Sequence, residues 1–167
     1  MMSALLRPEA RAPRREAMTV ADIDAVVAIE NAAYEFPWTR GNFIDSLAAG
    51  YPAQLLRDGD GTLCGYCVAM PGVQEMHLLN LTVAPPWQHR GLGRGLLDAL
   101  AQDSRVAGAQ FIWLEVRESN QRAREVYRRY GFEQVGWRRA YYPAAAGRRE
   151  DACVMRLPLQ AVRNALE

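Results

Sequence analysis

The chain of 167 residues contains no lysine, and all 20 of its basic residues are arginine. Because an arginine side chain stays protonated, the chain has no side-chain amine that could act as a nucleophile or form a Schiff base. It also lacks the lysine of a nucleotide-binding P-loop. The 19 acidic residues leave a formal charge of +1, which does not by itself support binding to nucleic acid or to an anionic membrane.

Long apolar runs and serine-based catalytic motifs are missing as well. The longest apolar run, near residues 25–29, is far shorter than the ~20 residues of a membrane span. Only four serines occur, and none lies in a G-x-S-x-G motif, which argues against a serine hydrolase. The three cysteines are an odd number and the N-terminus has no secretory apolar segment, so we expect a soluble protein of the reducing cytoplasm.

Cys64 and Cys67 form a C-x-x-C motif, which raises the alternatives of a redox enzyme or a zinc module. A redox motif opens a helix, whereas these residues lie in a predicted strand, where positions three apart face opposite sides. Zinc would need further ligands, and Cys153, His77 and His89 show no paired spacing. The pattern favours buried cysteines and no metal site. Zinc analysis and a thiol titration would discriminate.

The length predicts one domain, since a domain has ~150 residues. Residues 1–16 hold four arginines and two prolines without an apolar period, which predicts a flexible leader. We therefore expect a single domain over residues 17–160 and a short C-terminal tail over 161–167.

Hydrophobic periodicity predicts helices that alternate with strands. Helices are expected over 22–34, after a Thr39 cap, from Leu92 to Gly108, and from a Ser119 or Asn120 cap to Gly131. Strands are expected near 17–20 and over 53–57, 62–70, 75–83, 111–116, 132–139 and 152–157. This order is typical of a mixed α/β or α+β sandwich around one sheet.

A glycine-rich segment at residues 88–95 stands immediately before a predicted helix. Glycines let backbone N–H groups approach a ligand, and the positive end of the helix dipole favours a pyrophosphate. Arg90 and Arg94 could add charge-assisted contacts. A flexible turn that starts a helix is the alternative. A dinucleotide site fits poorly, because Leu96 stands where the third glycine of G-x-G-x-x-G belongs.

The Q-x-x-G-x-G pattern after an L-x-V strand resembles the acetyl-CoA signature of the N-acetyltransferases of the GNAT superfamily. Further segments resemble the bacterial ribosomal-protein-alanine N-acetyltransferases (RimI type), at residues 36–39, 114–120, 126–132, 138–139, 141–143 and 150–152. The resemblance covers about residues 17–159. It implies a mixed, mostly antiparallel central sheet of about seven strands with helices on both faces and a splayed cofactor cleft.

The resemblance also implies an acetyl-CoA site and no metal. Backbone groups of Leu81, Thr82 and Val83 are expected to pair with the pantetheine arm, and Asn120 to contact the cofactor. The pyrophosphate is expected to be wrapped by the loop residues His89, Arg90, Gly91, Leu92, Gly93 and Arg94.

Glu115 interrupts an apolar strand, where a carboxylate is costly without a partner or a task. Strand alternation places it on the face of Phe111 and Trp113. One interpretation is a strand-end acid paired with Arg117 or Arg138. By the resemblance, Glu115 is the general base that takes the proton of the amine, directly or through water.

Tyr127 lies on the helix after Asn120, at a spacing typical of a core tyrosine. By the resemblance it protonates the coenzyme A thiolate, and a backbone N–H near Val83 serves as the oxyanion donor. A non-catalytic domain that senses acetyl-CoA is the alternative, but Glu115 and Tyr127 together favour an enzyme.

The basicity of an amine helps to decide which class of amine is the acceptor. A peptide α-amine with a pKa of ~7.7–8.0 is about a quarter neutral near pH 7.4, whereas a lysine amine is only about a thousandth neutral. By the resemblance the acceptor is the N-terminal alanine of a small-subunit ribosomal protein; a lysine side chain or a small amine is the alternative. The segments 36–39 and 141–143 are expected to line the peptide groove, with Glu35 or Glu75 attracting a basic tail.

Overall fold

The computed structural model of the protein describes residues 12–160. The strands are β1 (Arg14–Ala17), β2 (Ala53–Arg57), β3 (Leu63–Gly72), β4 (Glu75–Val83), β5 (Phe111–Arg117), β6 (Glu133–Pro143) and β7 (Arg149–Pro158). The α-helices are α1 (Ile23–Ala33), α2 (Arg40–Ala48), α3 (Leu92–Val106) and α4 (Gln121–Tyr130). Short 3-10 turns lie at Val20–Asp22, Pro85–Trp87 and Ala145–Gly147.

The polar residues predicted to cap α2 and α4 do so. The Thr39 hydroxyl accepts a hydrogen bond from the Asn42 backbone N–H at 3.2 Å. The Asn120 side chain, rather than that of Ser119, accepts from the Ala123 N–H at 3.1 Å. Each bond satisfies a backbone donor that the first turn of a helix leaves free.

The strands form one sheet in the order β1-β2-β3-β4-β5-β7-β6. Neighbouring strands are antiparallel except β4 and β5, which run parallel because α3 forms the crossover between them. The predicted fold class, a mixed and mostly antiparallel sheet of about seven strands with helices on both faces, is confirmed.

Each face of the sheet has its own apolar core. On one face, α3 packs against β4 and β5, and alternate β5 residues Ile112, Leu114 and Val116 point into this core, as the strand pattern predicts. On the other face, α1 and α2 cover β2 and β3 with a cluster that includes Ile23, Val26, Phe43, Leu55 and Tyr66. Glu115 therefore lies on the opposite face of β5 from the α3 core.

The first strand and the last hairpin differ from the prediction. The sequence places the first strand near 17–20, but β1 lies at Arg14–Ala17 and Val20–Asp22 form a 3-10 turn. Residues 14–16 of the predicted leader thus pair with β2, while residues 1–11 and the predicted tail 161–167 lie outside the described residues. The last hairpin is longer than predicted, because cross-strand pairing continues through exposed residues that have no apolar alternation.

None of the helices within residues 12–160 combines the length and the apolar character that a bilayer span needs.

Candidate active site

The site is organised by an opening between β4 and β5. The parallel pairing of these strands ends at Leu78 and Leu114. A β-bulge follows at Leu79, because the register of β4 against β3 shifts between Leu78 and Asn80. A bulge bends a strand and increases its twist, so the C-terminal halves of β4 and β5 separate beyond this point. This opening is the predicted splayed cleft.

The backbone of β4 faces this cleft at alternate residues. The Ala84 N–H donates to the Cys64 carbonyl at 2.8 Å, so beyond the bulge the residues of β4 that are hydrogen-bonded to β3 are the even-numbered ones, Asn80 and Thr82. Leu81 and Val83 therefore direct their N–H and C=O groups away from β3. Their carbonyls accept from the Tyr34 hydroxyl at 3.3 Å and the Gln88 amide at 3.1 Å, respectively. Their N–H groups point into the cleft.

A cavity of about 460 Å³ continues from the cleft to the starts of α3 and α4. Its lining includes nine of the ten residues assigned to the cofactor by resemblance, namely Leu81, Thr82, Val83, His89, Gly91, Leu92, Gly93, Arg94 and Asn120. The tenth, Arg90, does not line the cavity, and its guanidinium packs over the Trp87 ring at 4.9 Å. Tyr127 lines the cavity, as do Tyr34 and Arg122, which the sequence did not single out.

The start of α3 is built to receive an anion. Gly91 is the N-terminal cap with φ 77°, a left-handed conformation that a side chain would strain. The first-turn N–H groups of α3 have no intrahelical acceptor, and the helix dipole is positive at this end. Arg94 lies on the first turn, and Arg122 approaches from α4, where its guanidinium donates to the His89 ring at 2.8 Å. These groups converge on one end of the cavity.

A chain of hydrogen bonds leads from the cavity into the α1 face of the sheet. The Tyr34 hydroxyl lies 2.8 Å from the Thr82 hydroxyl, which donates to the Asn80 side-chain oxygen at 2.8 Å. The Asn80 amide in turn donates to the Glu30 carboxylate at 3.1 Å. The cleft-lining end of β4 is thereby fixed to helix α1.

Glu30 is a buried carboxylate that the sequence patterns above do not single out. Its side chain is only 2% exposed, and it accepts hydrogen bonds from the Trp38 backbone N–H at 2.9 Å and from the Tyr66 hydroxyl. With Asn80 it has three donors, which is what a buried carboxylate requires. The signal was present, because Glu30 follows Ile23 and Val26 on the apolar stripe of α1.

Glu115 lies at the point where β4 and β5 begin to separate, and its side chain is 9% exposed. The Glu115 Oε2 atom lies 2.6 Å from His77 Nε2 on β4, and Oε1 lies 3.0 Å from Arg138 Nε on β6. Burial raises the pKa of the Glu115 carboxyl, but the His77 hydrogen bond and the charges of His77 and Arg138 outweigh burial and hold the pKa below its usual value. Arg117, the other partner considered, bonds Glu150 instead.

Tyr127 is half-buried on α4, with its ring packed edge-on against Phe132 at 5.4 Å. Its ring thus belongs to the α3 core, and the same residue lines the cavity. Burial raises the pKa of the Tyr127 hydroxyl above its usual value. The hydroxyl is therefore protonated at neutral pH and available as a donor. The ring is therefore core, as its spacing predicts, and the role of the hydroxyl as proton donor to the thiolate stays a prediction.

The two segments expected to line a peptide groove meet at Arg117. The Arg117 guanidinium lies 5.0 Å from the Phe36 ring centroid and 4.5 Å from that of Tyr142. The same group donates to the Pro143 carbonyl and to Glu150, each at 2.7 Å. The loop between α1 and α2 is therefore clamped to the β6–β7 hairpin, across the face of β5 that carries Glu115.

The two acidic residues considered for a basic tail, Glu35 and Glu75, are both exposed. They sit on different elements, Glu35 in the loop after α1 and Glu75 at the start of β4.

The cysteines behave as the strand placement predicts. Cys64 and Cys67 lie in β3, and both are buried free thiols, as is Cys153. Burial raises the pKa of the Cys67 thiol to about 12, so it has little thiolate character at neutral pH. Within residues 12–160, no three histidine, cysteine, aspartate or glutamate side chains are grouped as a metal site would need.

Comparison with known proteins gives the same family from sequence and from structure. Residues 23–132 match the model of the acetyltransferase (GNAT) family. The [ribosomal protein bS18]-alanine N-acetyltransferase of Salmonella typhimurium is 36% identical over 142 residues, which is 85% of this chain and 95% of that protein. The Escherichia coli protein of that name is 36% identical over 138 residues, which is 83% of this chain and 92% of that protein.

The fold comparison agrees. The crystal structure of the Escherichia coli ribosomal-protein-alanine N-acetyltransferase superposes with a TM-score of 0.82 and 32% identity, over 93% of this chain and 99% of that one. Acetyltransferases of this family use acetyl-CoA as the acetyl donor. The chain is an N-acetyltransferase that belongs to the GNAT family.

Proposed function

We propose that this acetyltransferase moves the acetyl group of acetyl-CoA to the N-terminal α-amine of a protein, with the N-terminal alanine of a small-subunit ribosomal protein as its acceptor. The observation that carries the proposal is the position of Glu115. It lies one residue beyond the last position at which β5 pairs with β4, where the strands separate and β4 goes on to line the cavity with Leu81, Thr82 and Val83. The names of the relatives, which specify the alanine of ribosomal protein bS18, support the choice of acceptor.

In this proposal the donor lies along β4 and across the start of α3. The pyrophosphate takes the first-turn N–H groups of α3 together with Arg94 and Arg122. The pantetheine arm extends the sheet by pairing with the N–H groups of Leu81 and Val83, which point into the cleft. The thioester then lies at the opening of the two strands.

The reaction needs a neutral amine, a stabilised oxyanion and a proton for the leaving thiolate. Glu115 draws a proton from the acceptor ammonium, directly or through an intervening group. The amine attacks the thioester carbonyl, and a backbone N–H of β4 where the two strands separate stabilises the oxyanion that forms. The Tyr127 hydroxyl protonates the departing coenzyme A sulfur. No covalent acyl-enzyme is needed.

The acceptor enters on the face of β5 that carries Glu115. There the clamped loop and hairpin supply aromatic side chains, among them Phe36 and Tyr142, around an extended peptide. A single carboxylate suits an α-amine better than a lysine amine, because a far larger fraction of the α-amine is neutral near pH 7.4. We expect the exposed Glu35 and Glu75 to attract basic residues that follow the N-terminus.

The test is intact-mass analysis of peptides incubated with the enzyme and acetyl-CoA. A peptide that begins with alanine and lacks lysine should gain one acetyl group. The same peptide with a blocked N-terminus should gain none, and a blocked peptide with an internal lysine should also gain none. Acetylation of the lysine in the blocked peptide, with none at the free alanine, would overturn the proposed acceptor.

A further inference from the structure

Both oxygens of the Glu115 carboxylate already have partners. Oε2 lies 2.6 Å from His77 Nε2, and Oε1 lies 3.0 Å from Arg138 Nε. These partners hold the pKa of the carboxyl below its usual value, despite its burial. A carboxylate so engaged is a weak base, whereas proton acceptors work best when their basicity is near the working pH.

His77 is the member of this pair that reaches solvent. Its side chain is 25% exposed, against 9% for Glu115. It stands on β4 opposite Trp113, one residue before the last paired position, and its side chain reaches along the sheet to Glu115. An imidazole whose Nε2 hydrogen is held by a carboxylate keeps its Nδ1 lone pair free to accept a proton.

We propose that His77 is the group that accepts the proton of the acceptor amine, and that Glu115 acts through it by holding the imidazole in the Nε2–H form. This inference rests on the proposed function, whose base it identifies. Glu115 is then a positioning residue that stabilises the imidazolium as it forms, and the histidine is the catalytic residue. Removal of either residue should disable the same step.

Each proton of the acceptor ammonium has a destination in this step. The acceptor ammonium gives one proton to His77 Nδ1, which becomes an imidazolium paired with the Glu115 carboxylate and later releases that proton to solvent. The nitrogen lone pair forms the N–C bond to the acetyl carbonyl, and the C–S bond breaks with its electron pair on sulfur. The nitrogen loses its second proton as the amide forms. The sulfur takes a proton from the Tyr127 hydroxyl. The second proton of the nitrogen then returns to Tyr127 and restores the hydroxyl.

The titratable and charged groups on the elements of this part of the sheet come from four strands and one helix. They are Glu75 on β4, Glu115 and Arg117 on β5, Arg138 and Tyr142 on β6, Arg156 on β7 and, beyond Asn80, Glu30 on α1. Among them, Glu115 is the group that His77 contacts directly. The acid limb of the rate profile should therefore depend on these two residues together.

The central variant is His77→Gln, because glutamine can still donate to the Glu115 oxygen but accepts no proton. We expect kcat/KM for the peptide acceptor to fall by ~10²–10⁴-fold at neutral pH, with the acid limb of its pH profile lost. Acetyl-CoA affinity and thermal unfolding should stay unchanged. Glu115→Gln should show a similar loss of kcat/KM. The double variant should have about the same kcat/KM as the less active single variant, because the two residues act as a unit. Glu133→Gln, an exposed change on β6, is the control.

Chemical rescue separates a catalytic role from a structural one. Added imidazole should restore part of the turnover of His77→Ala and should not affect Glu133→Gln. If His77→Gln keeps kcat/KM within about twofold of the parent with the same acid limb, the proton goes to Glu115 and the inference is wrong.

Failure of the proposed function gives a different result. Turnover of lysine or small amines alone would overturn the α-amine acceptor but leave the His77 comparison measurable on those amines. An absence of turnover with every amine would overturn both.

Discussion

Two carboxylates in apolar surroundings show how single residues mark this site. Glu30 is held by three donors, so it fixes the loop after α1 and the end of β4 in place. Glu115 has two partners of different kinds. His77 can gain or lose a proton, whereas Arg138 is always charged. A buried acid bonded by fixed donors suits a structural role, and one bonded by a histidine suits proton transfer.

At the residue scale, the role of Tyr127 can be tested against a matched neighbour. Tyr127→Phe removes the hydroxyl that would protonate the thiolate but keeps the ring that packs on Phe132. We expect kcat to fall by ~10²–10⁴-fold, or about 3–5 kcal/mol of barrier, with acetyl-CoA affinity unchanged. The control is Tyr130→Phe, whose ring also packs on Phe132 but whose hydroxyl bonds Asp98 at 2.7 Å. Steady-state kinetics of both variants decide the point, and equal rates would contradict the acid role.

Whether the sequence predicts the environment of a residue depends on how far apart in the chain the contacting residues lie. The position of Glu115 on the face away from the α3 core follows from strand alternation alone. Its pairing with His77 could not be predicted, because 38 residues separate the two and only the parallel β4–β5 register brings them together. The same holds for Arg122, whose contact with His89 depends on how α4 packs beside α3.

At the scale of elements, strand β4, which lines the cavity, depends on close packing against β3. A Cβ atom on Gly65 would lie 2.7 Å from the Thr82 carbonyl oxygen, a backbone atom that cannot swing away. We expect Gly65→Ala to lower the free energy of unfolding by about 1–3 kcal/mol and to weaken acetyl-CoA binding, because β4 must shift. Gly136→Ala in β6 is the control, since its Cβ would meet no atom within 4 Å. Urea denaturation and calorimetric titration measure the two effects, and equal behaviour of the two variants would contradict the packing argument.

The clamp between the α1–α2 loop and the β6–β7 hairpin gives a second prediction at this scale. Arg117→Lys keeps the charge but loses the planar group that lies between Phe36 and Tyr142. Since a cation–π contact is worth about 0.5–2 kcal/mol, we expect the KM for the peptide to rise about fivefold, with kcat and the affinity for acetyl-CoA little changed. Arg129→Lys on the exposed side of α4 is the control. A larger effect on acetyl-CoA than on the peptide would place the clamp on the donor side instead.

Elements with strong local signals were predictable, and elements held by pairing were not. The caps at Thr39 and Asn120 and the bounds of β4 follow from local chemistry. The edge strand β1 carries Arg14, Arg15 and Glu16, which have no apolar alternation, so its strand conformation comes from pairing with β2. The bulge at Leu79 is likewise invisible in the sequence, yet it opens the cleft.

At the scale of the whole molecule, the sheet is continuous but its centre is weak. The half that contains β1 to β4 joins the half that contains β5 to β7 through the short parallel pairing that ends at Leu78 and Leu114. The α3 helix bridges both halves, because its leucines share one apolar cluster with residues of β4 and β5. A ligand that pairs with β4 and fills the cleft adds contacts where the sheet has few of its own.

Acetyl-CoA should therefore stabilise the entire fold. A ligand at about 100 times its Kd stabilises the folded state by about 2.7 kcal/mol. For a domain of this size that corresponds to a rise in Tm of about 5–11 °C.

Acetylated pantetheine, which lacks the pyrophosphate, should produce a much smaller rise at the same concentration, because it does not reach the start of α3. Arg94→Gln should reduce the rise with acetyl-CoA but leave the ligand-free Tm unchanged, since Arg94 lines the cavity near the pyrophosphate end. Differential scanning calorimetry measures all three, and equal shifts with the two ligands would contradict the placement of the pyrophosphate on α3.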